Sequence, residues 1–223
     1  MIETIYNGID VEQFSPNGPK LDLDALSGLA PAPHGTVRIG ILATLARWKG
    51  HQTFLRSLAL LSPDLPVRAY VVSGPLYRTN GSQYSLEELK SLADNLGLAE
   101  RVGFTGFLHE PAGAMRALDI VVHASTQPEP FGLVIAEGMA TGRAVIASEA
   151  GGAAELIETE INALGHTPGD AAQLAERITR LATDRSLRAR LGAAGRATAE
   201  RRFNRSRLAE ELIPLYHAVR TIV

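Results

Sequence analysis

The sequence predicts an α/β fold in which helices wind over both faces of a parallel sheet. Three observations predict it. From Val37 onward, β-branched runs alternate with helix-patterned stretches. Those runs are continuously apolar, the mark of strands buried on both faces. Turn residues separate them at short intervals, as βαβ units require.

Each element follows in order. Val37–Leu42 reads as a buried strand and residues 51–61 as a helix stopped by Ser62-Pro63. Residues 67–72 form the next strand, closed by Ser73-Gly74-Pro75. Ser85 with Glu88 is a capping-box pattern opening a helix that runs to Leu96, with Gly97 as its stop. Residues 102–105 are a short strand, 111–117 a short helix, 120–123 a strand, 132–140 a helix and 144–147 a strand. Residues 151–157 read as a helical turn and 162–164 as an edge strand. Helices over 170–183, 186–202 and 205–220 complete the chain.

Ahead of this alternation, residues 17–35 carry Gly18, Pro19, Gly28, Pro31, Pro33 and Gly35, a spacing hostile to long elements. Residues 1–35 are therefore expected to be an inter-domain connector, with a mobile terminus as the plainer alternative. The expected boundaries are connector 1–35, sheet domain 36–203 and C-terminal helix 204–223.

Composition removes several classes. The 223 residues are 45% hydrophobic and 21% charged, ordinary for a folded domain. Net charge is −2, from 22 basic and 24 acidic residues, so no global field draws nucleic acid. Cysteine is absent, which excludes a disulfide scaffold, a cysteine zinc site and a thiol nucleophile, and fits a reducing cytosol. No apolar run approaches the roughly 18 residues of a membrane helix. Residues 1–6 lack the basic, apolar and small-residue progression of a signal peptide.

Ligands of doubly wound sheets bind at the carboxyl ends of the strands. That directs attention to residues 42–49, 73–75, 106–109, 124–132 and 148–152. In Pro128-Glu129-Pro130-Phe131-Gly132-Leu133-Val134-Ile135-Ala136-Glu137, Pro130 keeps Glu129 on a loop before a helix. Gly132 and Leu133 fall in the first turn, where amides lack intrahelical partners and attract anions. Glu137 lies about one turn deeper on the same face. Amides for phosphate and two carboxylates for hydroxyls suit a diphosphate flanked by polyhydroxyl rings. The bland alternative has Glu129 capping its own helix and Glu137 pairing with a surface cation. After the first strand, Arg47 and Lys49 are expected to face the same crevice, where cations stabilise a leaving diphosphate.

Gly-x-Gly-x-x-Gly is missing after the first strand, which removes the main support for a nicotinamide or flavin enzyme. His51, His109 and His123 lack metal-ligand spacing and read as structural. Ser73 has no Gly-x-Ser-x-Gly elbow. Trp48 reads as packing beneath its loop.

Four motifs occur in order: Asn7-Gly8-Ile9-Asp10 with Phe14; Trp48-Lys49-Gly50; Glu129 and Glu137 enclosing Phe131-Gly132-Leu133; and Gly151-Gly152 with Glu155. Together they resemble glycosyltransferase family 4. The resemblance runs from about Asn7 to Tyr216 and matches only that family's C-terminal, donor-binding half. It implies one Rossmann-like half of a GT-B architecture, and retaining transfer from a nucleotide-diphosphate sugar in polysaccharide or glycoconjugate biosynthesis. By the same resemblance Lys49 contacts the diphosphate and Glu129 the donor sugar. The amides of Phe131, Gly132 and Leu133 hold sugar hydroxyls and phosphate, Glu137 takes the ribose, and Gly106-Phe107-Leu108 border the nucleobase.

One departure stands out: an Arg common in the family five residues before the Lys falls here on Thr44. Arg47 is the nearest substitute, with plain surface as the other reading. No metal and no resident cofactor are expected. The expected partners are the nucleotide-sugar donor, an N-terminal GT-B domain and a sugar or lipid-linked acceptor, but no nucleic acid. The expected location is cytoplasmic, with the full enzyme at the inner membrane surface. The rival readings are a stand-alone nucleotide or nucleotide-sugar binding module without catalysis and a two-chain enzyme.

Overall fold

The computed structural model describes residues 4–74 and 81–220, so the first three residues and Pro75, both used above, lie outside it. Six strands, β1 (Val37–Leu42), β2 (Val67–Val72), β3 (Val102–Phe104), β4 (Ile120–His123), β5 (Ala144–Ser148) and β6 (Leu164–His166), form one sheet in the order β3-β2-β1-β4-β5-β6. Every pairing is parallel. The chain works outward from β1 to β3, returns, and works outward again from β4 to β6. The reversal leaves a crevice between the carboxyl ends of β1 and β4, where loops on the two sides diverge.

Two apolar layers cover the sheet. Ile39, Ile41, Ala69 and Val71 meet Phe54 and Leu58 of α2 (His51–Ala59), Leu89 of α3 (Leu86–Asn95), and Ile178 and Leu181 of α6 (Ala171–Thr183). On the other face Tyr70, Val121 and Val145 meet Met115 of α4 (Pro111–Ala117), Ile135 and Met139 of α5 (Leu133–Ala140), and Ala199 of α7 (Arg185–Arg202). Gly138 of α5 lies where a Cβ would meet Val121 and Val145 at 3.1–3.2 Å, so the helix that carries the candidate site rides close on the strands. The capping box expected at Ser85 forms, with Glu88 N–H donating to Ser85 Oγ at 3.0 Å and Ser85 N–H to Glu88 Oε2 at 2.6 Å.

The turn-rich segment before β1 also belongs to the second layer. Ile9, Val11, Phe14 and Leu23 are buried there beside Phe203. A single helical turn, α1 (Leu23–Leu26), capped by Asp22, carries Asp24 beneath the sheet. Asp24 is 3% exposed and accepts from Arg38 and Arg68 at 2.8 Å, Tyr70 Oη at 2.7 Å and Ala32 N–H at 3.0 Å. Burial opposes its ionisation, yet those donors hold the carboxyl far below the ordinary range. The last helix, α8 (Arg207–Arg220), exposes Leu212, Ile213 and Tyr216.

Candidate functional site

A cavity of about 430 Å³ opens in the crevice, lined by Ile41 to Thr44 from the end of β1, Val122 to Ser125 from the end of β4, and Lys49, Glu129 to Val134 and Glu137. A second, of about 330 Å³, adjoins it and shares Leu42, Ala43, Thr44, Val134 and Glu137 as a common wall. Its far side is Ser73, Gly74, Phe107, Leu108 and His109. Together they make one two-lobed cleft along the strand ends.

Lys49 closes a 3₁₀ turn, Arg47–Lys49, and Gly50 leads from it into α2 at a left-handed φ of +79°. A Cβ on Gly50 would lie 1.8 Å from the carbonyl oxygen of Ala124, so only glycine lets this loop press against the end of β4. Thr126 N–H donates to the Trp48 carbonyl at 2.7 Å and fastens the approach. Lys49 Nζ thereby lies over the half-buried Trp48 ring at 4.1 Å and 2.6 Å from Glu129 Oε1.

The Glu129 loop is held from the opposite side. Glu129 bridges to Gly151, and Ala153 N–H donates to the Glu129 carbonyl at 3.2 Å. A Cβ on Gly152 would sit 1.9 Å from the Pro130 carbonyl oxygen, which accounts for the second glycine of that motif. The Glu129 carboxylate is nearly enclosed. His123 Nε2 lies 2.8 Å from Oε2, and Ser125 Oγ donates to the same oxygen at 2.7 Å. Burial alone would raise its pKa, but the hydrogen bonds from His123, Lys49 and Ser125 outweigh that and lower it to about 2. Glu129 is therefore a fixed negative charge, not a proton donor.

Beyond it, Gly132 is the left-handed N-cap of α5 and Leu133 its first residue, one position later than the sequence suggested. The amides of Phe131, Gly132 and Leu133 have no acceptor among the described residues. Glu137 lies one turn into α5 on the wall common to both lobes. No hydrogen bond or ion pair reaches its carboxylate among the described residues, and burial pushes its pKa up to about 7.

Most of the expected residues converge. Lys49, Glu129, Phe131, Gly132, Leu133 and Glu137 line the first lobe, Phe107 and Leu108 the second, and Gly106 neither. Arg47 is a correction. A 3₁₀ helix has three residues per turn, so residues two apart point in different directions. With Lys49 in the crevice, Arg47 faces outward, 3.1 Å from Glu88 and 4.3 Å above the Tyr84 ring. Thr44 lines both lobes, and no second cation stands beside it among the described residues. His123, which reads as structural in the sequence, and Ser125 are contacts that the motifs did not flag. Their position at the end of a strand entering the cleft was the available signal.

Among the described residues no group of three or more His, Asp or Glu side chains could hold a metal ion, and no helix is long and apolar enough to cross a membrane.

Known proteins resemble this chain in sequence and in fold. The family model described as "Glycosyl transferases group 1" matches residues 30–198. The D-inositol 3-phosphate glycosyltransferase of Corynebacterium jeikeium is 33% identical over 198 residues, covering 86% of this chain and 46% of that protein. A lipopolysaccharide core biosynthesis glycosyltransferase, LpsD of Rhizobium meliloti, is 38% identical over 130 residues, 58% of this chain and 38% of its own. The crystal structure of Anabaena HepE in complex with UDP superposes with a TM-score of 0.84 at 32% identity, over 97% of this chain and 57% of HepE. The crystal structure of the C-terminal domain of a glycosyl transferase group 1 family protein, LpcC from Francisella tularensis, superposes with a TM-score of 0.75 at 28% identity. It covers 89% of this chain and 100% of that domain. The chain thus spans about half the length, or less, of these two curated relatives.

Proposed function

The chain belongs to the glycosyl transferases group 1 family, and on that premise we propose that it is the donor-binding half of a retaining, GT-B type, family 4 glycosyltransferase. In this reading the first lobe takes the diphosphate and donor sugar, and the second takes the nucleobase. One observation carries it: Lys49, Glu129, the free amides ahead of α5 and Glu137 meet in one cleft at the strand reversal. The complexes of HepE with UDP and with UDP-glucose support a nucleotide-sugar as the ligand class. Glu137 stands where the lobes join, which suits a ribose lying between phosphate and base. Glu129 offers a permanent negative charge to the sugar, while Lys49 and the α5 amides neutralise the departing diphosphate. No resident cofactor or metal is required for these steps.

In this proposal residues 1–35 act as a connector that is itself docked on the sheet domain through Ile9, Val11, Phe14 and Leu23. A second domain, the counterpart of the other half of the longer relatives, positions a sugar or lipid-linked acceptor. Transfer occurs in the cytoplasm, with the complete enzyme at the inner membrane surface. Positioning an acceptor hydroxyl against the reacting carbon is worth roughly 7–11 kcal/mol of a barrier. The 223-residue chain is therefore expected to bind donor but form no glycosylated product when incubated with nucleotide-sugars and a panel of sugar and lipid acceptors. Robust product would overturn the half-site reading.

Binding is tested by calorimetry with UDP, GDP, ADP and their sugar conjugates. Lys49→Ala is expected to weaken diphosphates by about 1.5–3 kcal/mol, the range for hydrogen bonds to charged groups, and to leave the free nucleoside nearly unchanged. Equal losses for nucleoside and diphosphate would mean that Lys49 shapes the loop and does not meet phosphate.

A further inference from the structure

We propose that His123 and Ser125 are positioning residues for Glu129: they hold its Oε2, so that Oε1 is the oxygen that exchanges Lys49 for a hydroxyl of the donor sugar. This rests on the donor-binding reading above and adds a division of labour between the two carboxylate oxygens. Oε2 accepts from two side chains, at 2.8 and 2.7 Å, whereas among the described residues Oε1 has Lys49 alone, at 2.6 Å. Lys49 is also the cation that the diphosphate would draw away, and its departure would leave Oε1 an open acceptor on the wall of the cavity.

The surroundings of His123 argue that this contact is its purpose. The residue is 3% exposed, and its buried Nδ1 has no partner among the described residues. Among the described residues the only hydrogen bond of the ring is to Glu129, and a carboxylate acceptor requires the hydrogen on Nε2. Both clamping residues sit on a rigid base. His123 is the last residue of β4, paired with Ala147, and its carbonyl lies 3.2 Å from His166 Nε2. The Ser125 carbonyl accepts from Ser148 Oγ at 2.6 Å. The clamp is therefore tied to the ends of three neighbouring strands, with His123 in β4 itself and Ser125 on the loop just beyond it.

The donor sugar, and not the nucleotide, should sense this clamp. The experiment measures the affinity of the intact chain for a nucleoside diphosphate and for its sugar conjugate, using UDP, GDP and ADP with UDP-glucose, UDP-galactose, GDP-mannose and ADP-glucose. The quantity read is the ratio of the two affinities for the nucleotide that binds. His123→Ala is expected to shift that ratio at least fivefold against the sugar conjugate, with affinity for the bare diphosphate changed less than twofold. His123→Gln, whose amide N–H occupies nearly the position of Nε2, should restore most of the ratio. Ser125→Ala, which removes one hydroxyl, should shift it in the same direction by a smaller factor and serves if His123→Ala does not fold. A ratio unchanged in the folded variants, or equal losses for both ligands, overturns the proposal. Failure of the unmodified chain to bind any nucleotide or conjugate overturns instead the donor-binding reading beneath it.

Discussion

Asp24→Ala is expected to cost about 3 kcal/mol of stability while leaving nucleotide affinity unchanged. The magnitude follows from what the carboxylate holds. It pairs with Arg38 and Arg68, takes the Tyr70 hydroxyl, and caps the Ala32 amide, so its loss strands two guanidinium groups together. Breaking one partner of a buried pair costs roughly 3–5 kcal/mol. The lower end applies because the Arg38 side chain is 35% exposed and can turn to water. The pH dependence has a definite sign. A carboxyl lowered in the folded state stabilises above its unfolded value of 3.8 and loses that contribution as pH falls below it. Urea unfolding at pH 7 and pH 3 measures both effects: the difference between wild type and Asp24→Ala should shrink at the lower pH. A difference below 1 kcal/mol at pH 7 would show that the network contributes little net stability.

Asp24 also lies where local sequence pattern no longer determines structure. The strands Val37–Leu42, Val67–Val72 and Ile120–His123 are legible to the residue, because an unbroken β-branched run between turn signals has few alternatives. Residues 17–35 carry no such periodicity. Their order comes from partners 14 to 46 positions away, which pattern over a short window does not reveal. The edge strand departs from its pattern for a related reason: the pattern places it over residues 162–164, yet β6 is Leu164–His166. Asn162 instead spends its side chain on the Glu158 amide at 2.7 Å and on Thr198. The strand proper then contains Gly165 and His166, neither a strong strand former.

The candidate site divides the same way. Lys49, Glu129 and Glu137 are legible because a helix start, a strand end and a one-turn spacing fix their directions locally. Arg47 is open to both a phosphate and a surface reading in the sequence, and its contacts with Glu88 and Tyr84 place it on the surface side, turned away from Lys49. His123 and Ser125 could not be assigned from spacing, since their contact with Glu129 forms only when the loop folds back across the end of β4.

The largest functional effect is expected at Glu137, whose carboxyl is raised from 4.5 to about 7 by burial with no compensating donor. Below pH 4.5 both folded and unfolded chains carry the proton and the group exerts no penalty. Between 4.5 and about 7 the unfolded chain ionises first, so stability falls as pH rises through this window, by about 3 kcal/mol in total. Glu137→Gln, neutral at every pH, should remove that slope and leave the variant more stable than wild type at pH 8. Ligand binding should run against it. Ribose hydroxyls donate to a carboxylate and not to a carboxylic acid proton, so a bound nucleotide favours the ionised form and expels the proton. Nucleotide-sugars suit the measurement because their diphosphate, esterified at both ends, does not itself titrate in this range. The affinity of wild type for the best-binding conjugate should rise toward tenfold per unit between pH 5.5 and 6.5 and level off above about pH 7. Calorimetry in two buffers of different ionisation enthalpy should detect up to one proton released at pH 6. Glu137→Gln should bind more weakly at pH 8, by roughly 1.5–3 kcal/mol, and show neither the slope nor the proton. A wild-type affinity independent of pH across this interval would mean that no ligand hydroxyl reaches Glu137, and the ribose would have to be sought elsewhere in the cleft.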